Sequence, residues 1–136
     1  MDKVKLANIA KEASNNAYAP YSNFKVGASL VTKDNKVYKG CNVENASYGL
    51  TNCAERTCLF SAVADGVKKE DIAAFCVYTS NETLASPCGA CRQVMSELLP
   101  LNCKVVVACG DNNKYVEMEV KDLLPYLFSN EDLNND

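Results

Sequence analysis

The sequence that decides the fold lies in residues 72–109. Two apolar segments, IAAFCVYT (residues 72–79) and KVVVAC (residues 104–109), flank the segment CGACRQVMSELL (residues 88–99). The apolar segments are rich in β-branched and aromatic residues and predict buried strands. The segment between them follows a proline and ends before Pro100, which is typical of a helix. A strand, a helix and a second strand in this order predict parallel pairing within one sheet.

The rest of the chain adds elements on both sides of this unit. Apolar periodicity and turn residues predict where they lie. We expect a helix at Lys3–Tyr18, hairpin strands at Phe24–Val31 and Val37–Cys41 around a turn at 33–36, a polar loop at Asn42–Asn52, a helix at Cys53–Ala64, a strand at Tyr115–Glu119 after a turn at 110–113, and a helical turn at Val120–Leu124. Thr51 or Asn52 is the expected cap of the second helix, and Gly66 is its expected stop.

This order of elements, α-β-β-α-β-α-β-β, predicts one α/β domain over residues 1–136. We expect a three-layer α/β/α architecture with a mixed five-stranded sheet, in which the opening hairpin is antiparallel and the crossovers give parallel pairing. The acidic, Asn-rich tail at 129–136 is expected to be partly disordered.

Composition narrows the class of protein. The chain has 136 residues and a formal net charge of −3, with no cluster of Lys and Arg, so a polynucleotide partner is not expected. Neither a signal peptide nor a membrane-spanning segment is recognisable. We therefore expect a cytoplasmic protein with no membrane partner. The absence of histidine excludes Ser-His-Asp and Cys-His catalytic groups and His-Glu-x-x-His zinc sites.

The eight cysteines indicate metal or redox chemistry rather than disulfides in a cytosolic chain. Five of them lie in or beside apolar segments and are expected to pack as small apolar residues: Cys41, Cys58, Cys76, Cys103 and Cys109.

The other three cysteines, Cys53, Cys88 and Cys91, fall at predicted helix starts. Three thiolates bind zinc and leave the fourth tetrahedral position open, which predicts one zinc ion per chain. Glu55 is the candidate acid/base. On a regular helix Glu55 would lie about 200° from Cys53, so this hypothesis requires Cys53 to precede the first helical turn.

Two other interpretations of the cysteines stay open. A structural four-cysteine zinc site would use Cys58, although a regular helix turns that residue about 140° away from Cys53. A redox pair would use Cys88 and Cys91 alone. In a zinc site the net charge of three thiolates needs compensation, and Arg56 and Arg92 are the candidate cations.

Seven motifs occur in a fixed order along the chain: APYS (19–22), FKVGA (24–28), GCNVENA (40–46), NCAERT (52–57), SPCGACRQ (86–93), LLP (123–125) and Phe128. Together they resemble the small homotetrameric cytidine deaminases that hold zinc with three cysteines. A Cys, a Glu two residues later and a Pro-Cys-x-x-Cys are the pattern of zinc deaminases.

The resemblance implies a role for each matching residue. It implies zinc ligation by Cys53, Cys88 and Cys91, proton transfer by Glu55 and charge compensation by Arg56. It implies substrate contacts from Phe24, Asn42, Val43, Glu44 and the backbone of Ala54, with Asn42 and Glu44 on a ribose hydroxyl. It implies that Ala46, Tyr48 and Phe128 complete the sites of neighbouring subunits in a homotetramer.

The implied reaction is hydrolytic deamination of cytidine and deoxycytidine to uridine and deoxyuridine, with Glu55 moving protons between water and the ring. Three alternatives have different signatures. A blasticidin-type deaminase is not expected to carry a Glu at position 44. A nucleic-acid-editing deaminase typically has His as its first ligand and a basic surface. A non-enzymatic zinc or thiol protein would not release ammonia from cytidine.

Overall fold

The central sheet has five strands in the order β2-β1-β3-β4-β5 in the computed structural model, which describes residues 1–110 and 114–133. The strands are β1 (Val26–Thr32), β2 (Val37–Cys41), β3 (Ile72–Thr79), β4 (Lys104–Cys109) and β5 (Lys114–Glu119). β1 pairs antiparallel with β2 and β3, β3 pairs parallel with β4, and β4 pairs antiparallel with β5. The predicted mixed five-stranded sheet is confirmed.

Only one of the two predicted crossovers joins neighbouring strands. The β3–β4 crossover gives the expected parallel pair. The crossover from β2 to β3 passes over β1, because the hairpin places β1 between them. β2 and β3 therefore run in the same direction without pairing.

Helices cover both faces of the sheet, as predicted. Their bounds are α1 (Lys3–Ser14), α2 (Ala54–Ala64), α3 (Gly89–Leu98) and α4 (Val120–Leu123). The buried face of α1 packs on one side of the sheet with Val31, Cys76 and Val106. The larger core, which includes buried residues of α2, α3 and α4, lies on the other side around Phe75, Val77 and Val105. Alternate residues of β3 thus serve opposite layers, as the pleat of a strand requires.

Two predicted boundaries are wrong by two or more residues, and both lie beside the site described below. α1 ends at Ser14 rather than Tyr18, since Asn15 and Asn16 are weak helix formers and the Tyr18 N–H donates to the carbonyl of Asn42 (3.0 Å). β1 begins at Val26 rather than Phe24, because Asn23 has a left-handed backbone (φ 57°) that interrupts an extended strand.

The predicted stop of α2 is confirmed, and the C-terminal tail is described only in part. Gly66 follows α2 with φ 90° and ends it as predicted. Residues 130–132 form a single 3₁₀ turn, whereas residues 134–136 and the predicted turn at 111–113 lie outside the described residues, and the disorder expected of the tail stays a prediction. No helix within residues 1–110 or 114–133 is both long and apolar enough to cross a membrane.

A glycine sets the distance between α2 and the sheet. A Cβ atom on Gly40 of β2 would lie 2.4 Å from the backbone nitrogen of Cys58 and 2.7 Å from the carbonyl oxygen of Ala54. Both are backbone atoms of α2 and cannot turn aside as a side chain can. The first turn of α2 is therefore held in place by the absence of a side chain at position 40.

Gly40→Ala should lower the free energy of unfolding by about 1–3 kcal/mol or more, because an overpacked contact forces the helix away from the strand. Urea denaturation measures the change. Gly49→Ala is the matched control, since a Cβ atom there meets nothing within 4 Å. Equal midpoints for the two variants would show that α2 does not depend on this close approach.

Candidate metal centre and active site

Two helices start next to each other, and a cysteine precedes each of them. Cys53 is the N-cap of α2 with φ −75° and ψ 156°, and Cys88 is the N-cap of α3 with φ −67° and ψ 168°. The predicted caps Thr51 and Asn52 are therefore wrong by one or two positions, and the Asn52 amide donates instead to the Thr57 hydroxyl (3.0 Å). The cap position of Cys53 is the one that the zinc hypothesis required.

The cap positions bring three thiols together. The Sγ atoms of Cys53, Cys88 and Cys91 lie within 4.8 Å of one another, and those of Cys53 and Cys88 are 4.0 Å apart. Two thiolates on one tetrahedral zinc, each at about 2.3 Å, would be about 3.8 Å apart. All eight cysteines are free. The donor set and its spacing fit zinc with one position left open.

The alternative interpretations of the cysteines do not fit this geometry. Cys58 is fully buried and its thiol donates to the carbonyl of Tyr38 (3.5 Å), so it is not a fourth ligand. Among the described residues no carboxylate joins the three thiols at metal-ligand spacing. Cys88 and Cys91 do not stand as an isolated pair, because Cys53 completes the cluster.

The cluster favours one negative charge even without metal. The pKa of Cys53 is lowered to about 5, first because the Cys91 thiol donates to its sulfur and then because Arg56 lies beside it. The pKa of Cys91 is raised, because its thiol donates a hydrogen bond to the Cys53 sulfur and because the side chain is buried. A metal ion that takes all three sulfurs must therefore displace the remaining protons.

Arg56 is the candidate cation that contacts the thiols. Its Nη2 donates to the Sγ of Cys53 at 3.2 Å, and the same thiolate raises the pKa of the guanidinium. Arg92, the second candidate cation, has different contacts. Its guanidinium donates to the carbonyls of Pro87 (2.7 Å) and Leu123 (2.9 Å) and to the hydroxyl of Ser86 (2.8 Å). Arg92 thus ties the segment before Cys88 to the end of α4.

Glu55 lies in the first turn of α2 and is 5% exposed. Its pKa is raised, chiefly by burial and further by the Cys53 thiolate, whereas hydrogen bonds and Arg56 oppose the shift. Because Cys53 is in the cap conformation, Cys53 and Glu55 line the same cavity instead of opposite sides of a helix. This arrangement places a carboxyl that can exchange protons beside the open metal position.

The cavity has a volume of about 340 Å³, within the usual range for a small-molecule site. Several residues implied by the resemblance line it: Phe24, Asn42, Glu44, Cys53, Ala54, Glu55 and Cys88. Cys53, Cys88 and Glu55 form the part of the lining that we call the metal end. Asn42 and Glu44, on the segment that leaves β2, form the part that we call the polar end.

Asn42 is buried and its amide organises the polar end. Its Nδ2 donates to the carbonyl of Phe24 (2.7 Å) and its Oδ1 accepts from the N–H of Val26 (2.9 Å). The amide therefore holds the irregular segment that leads into β1. One N–H and one lone pair of this amide have capacity left for a ligand.

Four of the implied substrate contacts do not line the cavity of their own chain: Val43, Ala46, Tyr48 and Phe128. Val43 is 45% exposed and its backbone bridges Tyr18 and Asn52. The ring of Tyr48 packs edge-on against Tyr21, with centroids 6.1 Å apart. Ala46 and Phe128 are exposed. Their roles stay predictions.

Sequence reasoning missed part of the lining, namely Ser22, Val26, Thr51, Asn52, Val77, Thr79, Ala85 and Ser86. Val26, Val77 and Thr79 come from the neighbouring strands β1 and β3. Strand alternation could have indicated Thr79, since Phe75, Val77 and Thr79 share one face. Ser86 directly precedes the Pro-Cys-x-x-Cys motif. No local signal identifies Ala85.

A domain of this architecture with three thiols around an open position and an adjacent buried carboxyl defines a hydrolytic zinc enzyme. Residues 1–109 match the family model for the cytidine and deoxycytidylate deaminase zinc-binding region. The chain belongs to this deaminase family.

Full-length relatives agree with the family. The cytidine deaminase of Halalkalibacterium halodurans is 47% identical over 135 residues, which cover 99% of this chain and 100% of the relative. That of Sporosarcina psychrophila is 46% identical over 134 residues, 98% of this chain and 96% of the relative. The crystal structure of the Burkholderia pseudomallei cytidine deaminase matches with a TM-score of 0.90 and 52% identity, covering 94% of this chain and 100% of that one. The predicted family and fold class are confirmed.

Cys88→Ala should lose zinc, because two thiols do not make a closed metal site, whereas Cys58→Ala should retain it at one ion per chain. Elemental analysis of protein purified without added metal measures the difference. Cys88 is exposed, so its loss leaves no core cavity, and Cys58→Ala shows the effect of core damage alone. Full zinc in the Cys88 variant, or loss in the Cys58 variant, would contradict the ligand set.

Proposed function

We propose that this protein catalyses the hydrolytic deamination of cytidine and deoxycytidine to uridine and deoxyuridine with release of ammonia. The observation that carries the proposal is the cavity that joins the three-thiol cluster and Glu55 at its metal end to Asn42 and Glu44 at its polar end. A pyrimidine base would occupy the metal end and its sugar the polar end. The relatives described above support the assignment, since they carry the same activity in their names.

Zinc held by Cys53, Cys88 and Cys91 would supply a Lewis acid that lowers the pKa of a water molecule in its open position. The Glu55 carboxylate accepts a proton from the attacking water and delivers it to N3 of the ring, while the water oxygen adds to C4. Glu55 then takes the second proton of that oxygen and delivers it to the amino group, which leaves as ammonia. The raised pKa of Glu55 suits a group that must both take and give a proton.

The polar end favours a nucleoside over a nucleotide. It presents the Glu44 carboxylate, and none of the residues that line the cavity in the described part of the chain is Lys or Arg. A sugar hydroxyl can donate to a carboxylate, whereas a phosphate would be repelled and would find no cation to bind. The net charge of −3 likewise disfavours a nucleic-acid substrate.

The Glu55→Gln variant should retain zinc and bind cytidine, yet lose more than about 10⁴-fold in kcat, since one acid/base contribution is about 10²–10⁴-fold and Glu55 serves two transfers. The conversion of cytidine to uridine is followed by absorbance, and the ammonia is measured separately. Glu97→Gln, on the exposed side of α3, is the matched control and should keep wild-type activity. Substantial turnover by the Glu55 variant would exclude the role.

Cytidine and deoxycytidine should both be deaminated, with kcat/KM for cytidine monophosphate and for a deoxycytidine-containing single strand at least about tenfold lower. Product analysis by chromatography compares the four substrates at one salt concentration. Equal efficiency on cytidine and its monophosphate would show that Glu44 does not face the sugar. Wild-type protein that binds zinc and releases no ammonia from cytidine would instead favour a non-enzymatic zinc protein.

We also propose a metabolic role and a cellular location for the enzyme. Its products are free nucleosides, which suits pyrimidine salvage. A cytoplasmic location is supported by eight unpaired cysteines, since thiols persist in reducing compartments.

We further propose a homotetramer in which neighbouring subunits share active sites, as the resemblance implies. Six large apolar side chains in the described part of the chain are more than half exposed, and a subunit interface would cover such a surface: Tyr18, Tyr48, Leu50, Tyr126, Phe128 and Leu133. In the proposed assembly, Ala46, Tyr48 and Phe128 complete the site of another subunit.

Sedimentation velocity should give four times the chain mass of 14.8 kDa. Sharing is tested by complementation, because a mixed tetramer would contain some sites with an intact Glu55 from one chain and an intact Phe128 from another. Mixing Glu55→Gln protein with Phe128→Ala protein after gentle dissociation should then raise activity above that of either variant alone. A monomer, or no gain on mixing, would contradict shared sites.

A further inference from the structure

We propose that Ser22 is a positioning residue for the nucleoside sugar: its hydroxyl joins the Glu44 carboxylate to the backbone of Phe24, and so fixes two walls of the polar end in one arrangement. The proposal deepens the proposed function and rests on it. Ser22 itself lines the cavity.

The first half of this link is the attachment of Glu44. Its Oε1 accepts from the backbone N–H groups of Tyr21 (2.9 Å) and Ser22 (3.1 Å), and its Oε2 accepts from the Ser22 hydroxyl. A carboxylate has about four lone-pair positions, so about one stays available to a ligand. The Ser22 bond also lowers the pKa of Glu44, which keeps the group ionised.

The second half is the attachment of Phe24. The hydroxyl of Ser22 gives its only proton to Glu44 and accepts, through a lone pair, the N–H of Phe24 (3.0 Å). Asn23, with φ 57°, makes the tight turn that returns this N–H to the serine, and asparagine tolerates that conformation better than most residues. One hydroxyl thus connects the carboxylate to the turn.

The other side of the same residue is held independently, because the Phe24 carbonyl accepts from the Asn42 amide. Asn42 and Glu44 belong to the segment after β2, whereas Ser22 and Phe24 precede β1. Both polar side chains therefore cross from one segment to the other. The hydrogen bond from Ser22 to Oε2 also limits the rotation of the Glu44 carboxylate, because the backbone bonds hold only Oε1.

The loss of this hydroxyl has a limited structural effect. Glu44 keeps its two backbone bonds through Oε1, and Phe24 keeps its bond to Asn42. The carboxylate, however, gains freedom to rotate, and the Phe24 N–H loses its acceptor. Neither the thiols nor Glu55 takes part in these bonds, so we expect binding of the sugar to weaken while the chemical step persists.

The test compares Ser22→Ala, Ser22→Thr and the exposed control Ser80→Ala on cytidine and on 2′,3′-dideoxycytidine, which lacks both ring hydroxyls. Ser22→Ala should raise KM for cytidine about tenfold, the size of one lost bond to a charged group, with kcat within about threefold and zinc unchanged. On the dideoxy substrate it should change KM less than about twofold, because no hydroxyl remains on the sugar ring to donate a hydrogen bond to Glu44. Ser22→Thr, which restores a hydroxyl, should recover most of the loss.

A double-mutant cycle with Glu44→Gln gives a second measurement. If Ser22 acts through Glu44, the effect of Ser22→Ala should fall below about twofold once Glu44 is replaced. An equal rise in KM for both substrates, or full additivity in the cycle, would reduce Ser22 to a structural residue and overturn the proposal. An unchanged KM for both substrates in Ser22→Ala would also overturn the proposal.

The outcome is separable from the proposed function. Wild-type protein that fails to deaminate cytidine contradicts the function, whereas active wild type with an unchanged Ser22→Ala variant contradicts only this inference. Calorimetric Kd values for the two nucleosides, measured on the Glu55→Gln protein with and without Ser22→Ala, test the sugar dependence without turnover. Ser22→Ala should raise the Kd of cytidine about tenfold and that of 2′,3′-dideoxycytidine less than about twofold.

Discussion

The convergence of two helix starts on three thiols is the constraint on which the rest of this structure depends. Cys53 and Cys88 lie at N-cap positions, where the positive ends of both helices and Arg56 face the sulfur atoms. These charges favour thiolates, which bind metal, over thiols. The same cap conformation lets Glu55, two residues after Cys53, line the cavity beside the metal position. If α2 began one residue earlier and included Cys53, the side chains of Cys53 and Glu55 would point to opposite sides of the helix.

The sheet serves this arrangement by fixing where each helix starts. Gly40 leaves no room for a Cβ atom between β2 and the backbone of α2, and Arg92 ties the segment before α3 to α4. Between the two helices, Val77 and Thr79 of the central strand β3 contribute to the cavity lining. The metal end therefore has support on several sides, which is what the proton transfer proposed for Glu55 requires.

The polar end is built differently, from irregular segments held by side chains. Asn42 uses about half of its hydrogen-bonding capacity, and Glu44 about three of its four lone-pair positions, to hold residues 21–26. Asn42 and Glu44, which a sequence motif suggests as ligand contacts, thus also hold the segment before β1 in place. Binding and loop geometry are coupled there, whereas at the metal end the ligands are positioned by regular helices.

The sequence by itself determined the strands at 72–79 and 104–109, the layer architecture, the three thiols and Glu55, because periodicity and motif spacing are local properties. Tertiary structure alone decided that Cys53 is a cap, that Arg92 binds carbonyls and that Thr79 and Ser22 join the cavity. Each of these depends on which segments meet across the sheet or between loops. Hydrogen-bond partners 20 or more positions apart, such as Ser22 and Glu44, leave no periodic signal in the chain.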